Sequence, residues 1–190
     1  MTSRTSPKIG MLGTARIAKQ FALGVAPPAA VKIVGIASRD AARAEAFASE
    51  LSIPKSFSSY EALIADPNID AVYIPLPNTM HAEWTIKSAD AGKHIVCEKP
   101  LAMSLTEAKA MFAAARRTNV HLIEAYPYLS QPTTLKAREL IQSGVIGHPR
   151  LINASFGVSF TDPTRSAFSP TLVANRCWQL LRELRDRHGR

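Results

Sequence analysis

The sequence predicts an α/β protein built on a doubly wound, parallel sheet, and three observations predict it. Short apolar runs alternate with segments of helical spacing from Lys8 to Ala125, the pattern of βαβ units joined by right-handed crossovers. The first apolar run passes through Gly10-Met11-Leu12-Gly13 and opens onto a helical segment. A later run, Ile95-Val96-Cys97, has the continuous apolar character of a strand covered on both faces. It ends in Glu98-Lys99-Pro100, at the edge of an open α/β sheet where ligands dock. Pro100 stops the ladder there and permits a cis Lys99–Pro100 peptide.

Taken in order, Lys8 to Gly13 reads as a buried strand and a glycine turn. Ala15 to Leu23 then has helical spacing, with Ile17 and Phe21 on one face. The junction Gly13-Thr14-Ala15-Arg16-Ile17-Ala18 is close to the dinucleotide fingerprint GxGxxG/A, with Ala15 at the middle glycine. The N-terminus of the helix would offer free N–H groups and partial positive charge to a pyrophosphate. Val31 to Ala37 is the second strand, and Ala41 to Leu51 an alanine-rich helix with Asp40 as its N-cap. No acid lies at Ala37 or Ser38, where an NAD-specific site places one for the ribose. Ser38 and Arg39, with Arg43 a turn further on, suit a 2′-phosphate, which leans the reading to NADP and leaves NAD open. The two arginines also read as solvated charges at a helix start.

Lys55-Ser56-Phe57 is a short edge strand. Ser58 and Glu61 have capping-box spacing before the next helix, and Asp66-Pro67-Asn68 is a turn. Ala71 to Ile74 is the fourth strand. Leu76, Pro77 and Asn78 follow at the ligand edge, with a helix from Thr79 to about Asp90. In a parallel sheet Asn78 and His81 face the same crevice as Glu98 and Lys99. Alone, a histidine at a helix start more commonly makes a local hydrogen bond. Ser104 and Glu107 form a capping pair for a helix to Thr118, and Val120 to Ala125 is the last strand of the series. From Tyr126 onward prolines and paired aromatics mark a domain crossing. Leu135 to Ser143 reads as a helix and Pro149 to Val158 as a strand.

The 190 residues allow one full core and part of a second domain. No apolar run reaches the ~18 residues of a membrane span, and the N-terminus does not read as a secretory signal. Two cysteines, one in a buried strand, point away from a disulfide framework and towards a cytoplasmic setting. The five histidines are scattered, so no metal site is expected. The net charge of +8 owes +3 to the fifteen residues from Arg176, and the rest forms no basic stripe. Without a recognition helix or aromatic platform, a nucleic-acid partner is not expected.

Together Gly10–Ala18, Pro77-Asn78-Thr-Met-His81, Gly92–Pro100, Glu124-Ala125-Tyr126-Pro-Tyr128 and Ile146-Gly147 make the chain resemble the glucose–fructose oxidoreductase / inositol dehydrogenase / MocA family over about residues 8 to 160. Within it, the branch of NADP-linked xylose and trans-dihydrodiol dehydrogenases is most similar. The resemblance implies a Rossmann domain over 1–125 and a fragment of an α/β second domain over 126–169. It implies hydride transfer between NAD(P) and a carbinol or carbonyl carbon of a sugar, polyol or dihydrodiol. Lys99 would be catalytic, polarising or deprotonating the substrate hydroxyl. Gly13, Thr14, Ala15, Arg16, Ile17, Ser38, Arg39, Leu76, Pro77, Asn78, His81, Glu98 and Lys99 would line the cofactor. Family members oligomerise through the second domain.

The chain departs from the family pattern at Leu129 and Gln131, where an arginine and a histidine are usual. Members also carry, further on, a glycine-rich segment, an aspartate and a histidine or tyrosine that complete the acid–base site. Residues 170–190 form instead an arginine- and leucine-bearing tail. The sequence expectation is a premature end or a frameshifted tail, with a catalytically inactive nucleotide-binding fragment as the alternative to an active oxidoreductase.

Overall fold

The computed structural model describes residues 6–25, 30–153 and 155, and the chain divides into two compact units between Ala125 and Tyr126. In the first unit, strand β1 (Lys8–Leu12) leads into helix α1 (Arg16–Gly24). Strand β2 (Lys32–Ala37) leads into α2 (Ala41–Glu50), and β3 (Lys55–Phe57) into α3 (Tyr60–Ala65). Strand β4 (Ala71–Ile74) is followed by a 3₁₀ turn (Asn78–Met80) and α4 (His81–Asp90). Strand β5 (His94–Glu98), α5 (Leu105–Arg117) and β6 (Leu122–Ala125) complete it. All five pairings are parallel, in the order β3-β2-β1-β4-β5-β6. The doubly wound expectation holds, and the order reverses direction between β1 and β4, the switch point of such sheets.

The apolar runs become central strands because both faces are covered. Met11, Leu12, Ile36, Val72, Tyr73, Ile74, Ile95 and Cys97 are all almost wholly buried. One layer packs Leu63, Trp84, Met111 and Ala114 beneath the sheet; the other packs Ala18, Ala48 and Ile53 against Ile9, Met11, Ile36 and Tyr73. Gly10 is a close approach: a Cβ there would lie 2.6 Å from Leu63 Cδ2 and 2.9 Å from Ile69 Cδ1.

Caps fall where side-chain oxygens meet free amides. The Asp40 carboxylate accepts from the Arg43 amide, and the Ser104 hydroxyl accepts from that of Glu107. The expected cap at Ser58 is displaced by one residue: Ser59 accepts from the Ala62 amide at 3.1 Å. Adjacent serines give the same spacing signal, and the extended φ and ψ of Ser59 decide between them. The α3–β4 connection is held by Asp66, which accepts from Lys55 Nζ and from the Asn68 amide. The Lys55 hydrogen bond, then the Asn68 amide, hold the Asp66 carboxyl down at about 2. A carboxyl depressed in the folded state contributes stability that is complete above its ordinary range and lost as pH falls through its folded value. Asp66→Asn is therefore expected to flatten the acid limb of a urea-midpoint profile between about pH 4 and pH 2. An unchanged limb would assign that limb to other groups.

In the second unit, a 3₁₀ turn (Pro127–Ser130) leads into α6 (Pro132–Gln142). This helix begins three residues before the expected Leu135, because Pro132 takes the first helical turn, where a missing N–H costs nothing. The strand expected over Pro149–Val158 is not formed where it is described: residues 149–153 and 155 carry no ladder. A strand needs a partner for its backbone groups, and the described residues of this unit supply none. Residue 154, residues 156–158 and the whole 170–190 tail lie outside the described residues. Among the described residues no helix is long and apolar enough to cross a membrane.

Candidate active site

A cleft of about 490 Å³ opens at the carboxyl edge of the sheet, over the β1/β4 switch point. Its floor is Gly13, Thr14 and Ala15. One end is Ser38, Arg39, Asp40 and Arg43, and the far wall is Tyr60, Pro75, Leu76 and Pro77. Gly13 has φ +107° and donates its amide to Ala37 O at 2.8 Å. A Cβ on it would stand 3.0 Å from Leu76 Cδ2, so glycine keeps this turn both possible and open. Ala15, at the middle-glycine position, has φ −69° and ψ 156°. That is ordinary extended backbone, so the departure from the fingerprint costs no strain.

Ala15 is the N-cap of α1 and gives no side-chain cap, and the first turn holds no acid. Ala18 and Lys19 donate back to Ala15 O, while the amides of Arg16 and Ile17 have no acceptor among the described residues. An uncapped helix start beside a glycine turn is a set of donors awaiting an anion. The guanidinium groups of Arg39 and Arg43 likewise make no ion pair among the described residues, and both residues are exposed. Asp40 stands between them, but its carboxylate is occupied by the Arg43 amide, and Ser38 Oγ accepts from the Asp40 amide at 3.2 Å.

The second part of the site lies where β4 and β5 end. Glu98 closes β5 half-buried, and its Oε1 accepts from Tyr73 OH at 2.7 Å. Burial, then the hydrogen bond to Glu98, hold the Tyr73 phenol well above its ordinary range, which keeps it the donor. Tyr73 is in turn stacked on Phe21 of α1, with ring centroids 4.0 Å apart. Lys99 is exposed, and its ammonium has no partner among the described residues. The Lys99–Pro100 peptide is cis. Asn78 is half-buried at the first residue of its 3₁₀ turn. Cys97 is fully buried and free, its thiol pushed up to about 12 by burial. Cys177 lies outside the described residues.

The expectation that His81 faces the crevice is corrected. His81 is fully buried, with Nδ1 2.9 Å from Pro100 O and Nε2 2.8 Å from Leu76 O. Its ring lies between the turns that follow β4 and β5, so its surface goes to backbone carbonyls instead of to a ligand. Spacing alone placed it at the correct edge but could not tell inward from outward at a helix start. Sequence reasoning also passed over Tyr60, read only as a helix residue. Its position one residue after the Ser59 cap, at the end of the loop that follows β3, was the available signal, since every such loop opens on the same edge of a parallel sheet.

A 3-2-1-4-5-6 parallel sheet with a glycine turn and an uncapped helix at its switch point defines the class of nucleotide-binding α/β domains. Within that class, the chain belongs to the oxidoreductase family with the NAD-binding Rossmann fold, Gfo/Idh/MocA, whose profile matches residues 7–126. It is 47% identical over 134 residues to D-xylose 1-dehydrogenase (NADP(+)) 2 of Haloferax volcanii, covering 70% of this chain and 41% of that protein. It is 37% identical over 152 residues to trans-1,2-dihydrobenzene-1,2-diol dehydrogenase of Xenopus laevis, covering 79% of this chain and 46% of that one. Among solved structures, KijD10, a 3-ketoreductase from Actinomadura kijaniata in complex with NADP, matches with a TM-score of 0.69 at 32% identity. The match covers 75% of this chain and 46% of that one. The chain thus spans under half the length of these relatives.

Proposed function

We propose that this chain binds NADP(H) in the switch-point cleft and serves hydride transfer to or from a carbinol or carbonyl carbon of a sugar, polyol or dihydrodiol. The observation that carries the reading is the pairing of unclaimed donors with unclaimed cations along one cleft. The Arg16 and Ile17 amides lie at the helix start, and the Arg39 and Arg43 guanidiniums at its adenosine end. Gly13, Thr14 and Ala15 hold the pyrophosphate by backbone alone. Ser38, Arg39 and Arg43 take the 2′-phosphate, two cations outweighing the single, already bonded carboxylate of Asp40. Leu76, Pro77 and Asn78 form the wall along which the nicotinamide half runs towards Glu98 and Lys99. Two of the relatives are named for NADP or are bound to it, which supports the same preference.

When bound, NADP(H) would supply or accept the hydride. In reduction the Lys99 ammonium would stabilise the charge that develops on the substrate oxygen and give it one proton from Nζ, and in oxidation the neutral amine would take the hydroxyl proton at Nζ. Glu98, held by Tyr73, keeps a carboxylate on the cofactor side of that lysine.

The test is a fluorescence titration of the full chain with NADPH and NADH, followed by absorbance assays of NADP(H) turnover with aldoses, polyols and dihydrodiols. NADPH is expected to bind more tightly than NADH. Arg39→Ala is expected to weaken NADPH binding by about tenfold, the worth of a charge-assisted hydrogen bond, with NADH binding unchanged. Equal loss for both nucleotides would remove Arg39 from recognition of the 2′-phosphate. A flat absorbance trace across the panel would count against the activity.

A further inference from the structure

The segment that carries Lys99 has no backbone scaffold of its own. Among the described residues, Lys99 to Met103 make no backbone–backbone hydrogen bond. Pro100 has no amide to give. Side chains from other elements fill the gap. The Pro100 carbonyl lies against the His81 ring, and the Leu101 amide donates to Glu124 Oε1 at 2.9 Å. The Lys99 amide faces Glu98 Oε2 at 3.2 Å, and Glu98 is itself anchored by Tyr73. The carbonyl and amide that flank the Pro100–Leu101 peptide are thus gripped from two directions, by helix α4 and by strand β6.

Glu124 is an exposed acid on an edge strand, where a solvated side chain is the ordinary outcome. Register places it beside Cys97, one residue before Glu98. From there its carboxylate crosses to an amide 23 residues away in the chain. A charged acceptor on an amide is among the stronger hydrogen bonds available to a loop. His81 adds a second function: its ring fills the gap between Leu76 O and Pro100 O, donating to one of the two carbonyls according to its tautomer, and so packs the wall of the nucleotide cleft against the Lys99 turn.

We propose that Glu124 and His81 are positioning residues that hold the Lys99 turn against the cofactor cleft, neither of them touching cofactor or substrate. The inference rests on the reading of the cleft as the NADP(H) site with Lys99 at its nicotinamide end. The ammonium is left without a partner while the backbone beneath it is clamped, the arrangement expected of a group reserved for a ligand.

The experiment is brief acetylation of the full-length chain with an amine-directed reagent, with and without saturating NADPH, followed by peptide mass spectrometry of the Lys99 peptide. In the wild-type chain NADPH is expected to suppress labelling of Lys99. In Glu124→Ala the suppression is expected to fall by about tenfold, the worth of one charge-assisted bond, while the NADPH dissociation constant and the urea midpoint stay near wild type. Glu124→Gln keeps an acceptor oxygen and should restore protection. Because His81 is buried, it is tested by a pair of isosteric variants. His81→Asn places an amide N–H near the Nδ1 position, facing Pro100 O, and should protect. His81→Gln places one near Nε2, facing Leu76 O and leaving Pro100 O unheld, and should not. Full protection in both Glu124→Ala and His81→Gln overturns the positioning role and leaves the cofactor reading intact. Absence of protection in a wild-type chain that binds NADPH overturns the placement of Lys99 at the nicotinamide, and the positioning role with it.

Discussion

Lys99→Met is expected to lower turnover of NADP(H) by about 10²- to 10⁴-fold, the range set by removal of a positioned acid–base group. It should weaken NADPH binding only a few-fold. The expectation comes from the contrast between the side chain and its backbone. The Pro100 carbonyl and the Leu101 amide are held by His81 and Glu124, and the carboxylate beside the lysine is fixed by Tyr73. The ammonium itself is exposed and engages no described residue. Removing it costs the fold nothing that the structure shows, so urea unfolding of the variant should match wild type. Steady-state kinetics decide the matter. A Lys99→Met chain turning over at the wild-type rate would place the proton transfer elsewhere.

The lysine at the other end of β5 should behave in the opposite way. Lys93 is 8% exposed, and its Nζ donates to Asp66 O and Ile69 O, both at 2.8 Å. It threads the connection between α3 and β4 and holds the entry of β4 against the entry of β5, far from the cleft edge. Methionine would match its stem but leave Ile69 O without that donor, while Asp66 O keeps the Ile69 amide at 3.2 Å. Because an unpaired buried polar group costs about 1–3 kcal/mol, Lys93→Met is expected to lose roughly 1–3 kcal/mol in urea unfolding. Cofactor affinity of the folded fraction should hold. A loss below about 0.5 kcal/mol, the scale of ordinary surface substitutions, would mean that water replaces the ammonium there.

These two lysines also mark what could be seen in the residues before the fold was known. Lys93 and Lys99 flank the same apolar run, and only the Pro after Lys99 hinted at different fates. Strands were legible because burial on both faces demands unbroken apolar runs, and the order of glycine turn, helix and Glu-Lys-Pro placed the cleft at the correct edge. The details that escaped depend on distant partners. Nothing near His81 reveals that its ring meets Pro100 O, 19 residues on. Glu124 belonged to a quoted motif, but its partner Leu101 lies on another element. Ser58 and Ser59 are indistinguishable by type, and only backbone angles choose the cap. The strand expected from Pro149 is not formed over the described residues 149–153 and 155, for the same reason in reverse: a run of residues is not a strand until a neighbour accepts its backbone.

The switch-point topology has a consequence for the order of assembly. Strand β1 is the first to leave the ribosome, yet it occupies the middle of the sheet. Its β2 flank arrives soon after. Its β4 flank comes late: the Lys8 amide meets the Asp70 carboxylate across 62 residues, and Ile9 pairs with Ala71. Long loops are closed at an entropic cost that precedes any contact they bring. The residues of β1 to β3 are therefore translated before those of β4 to β6, and the cleft opens over the seam between β1 and β4. The first half carries Gly13 to Ala15 and Ser38 to Arg43, and the second adds the wall of Pro75 to Pro77, so the cleft is complete only once the two halves have joined.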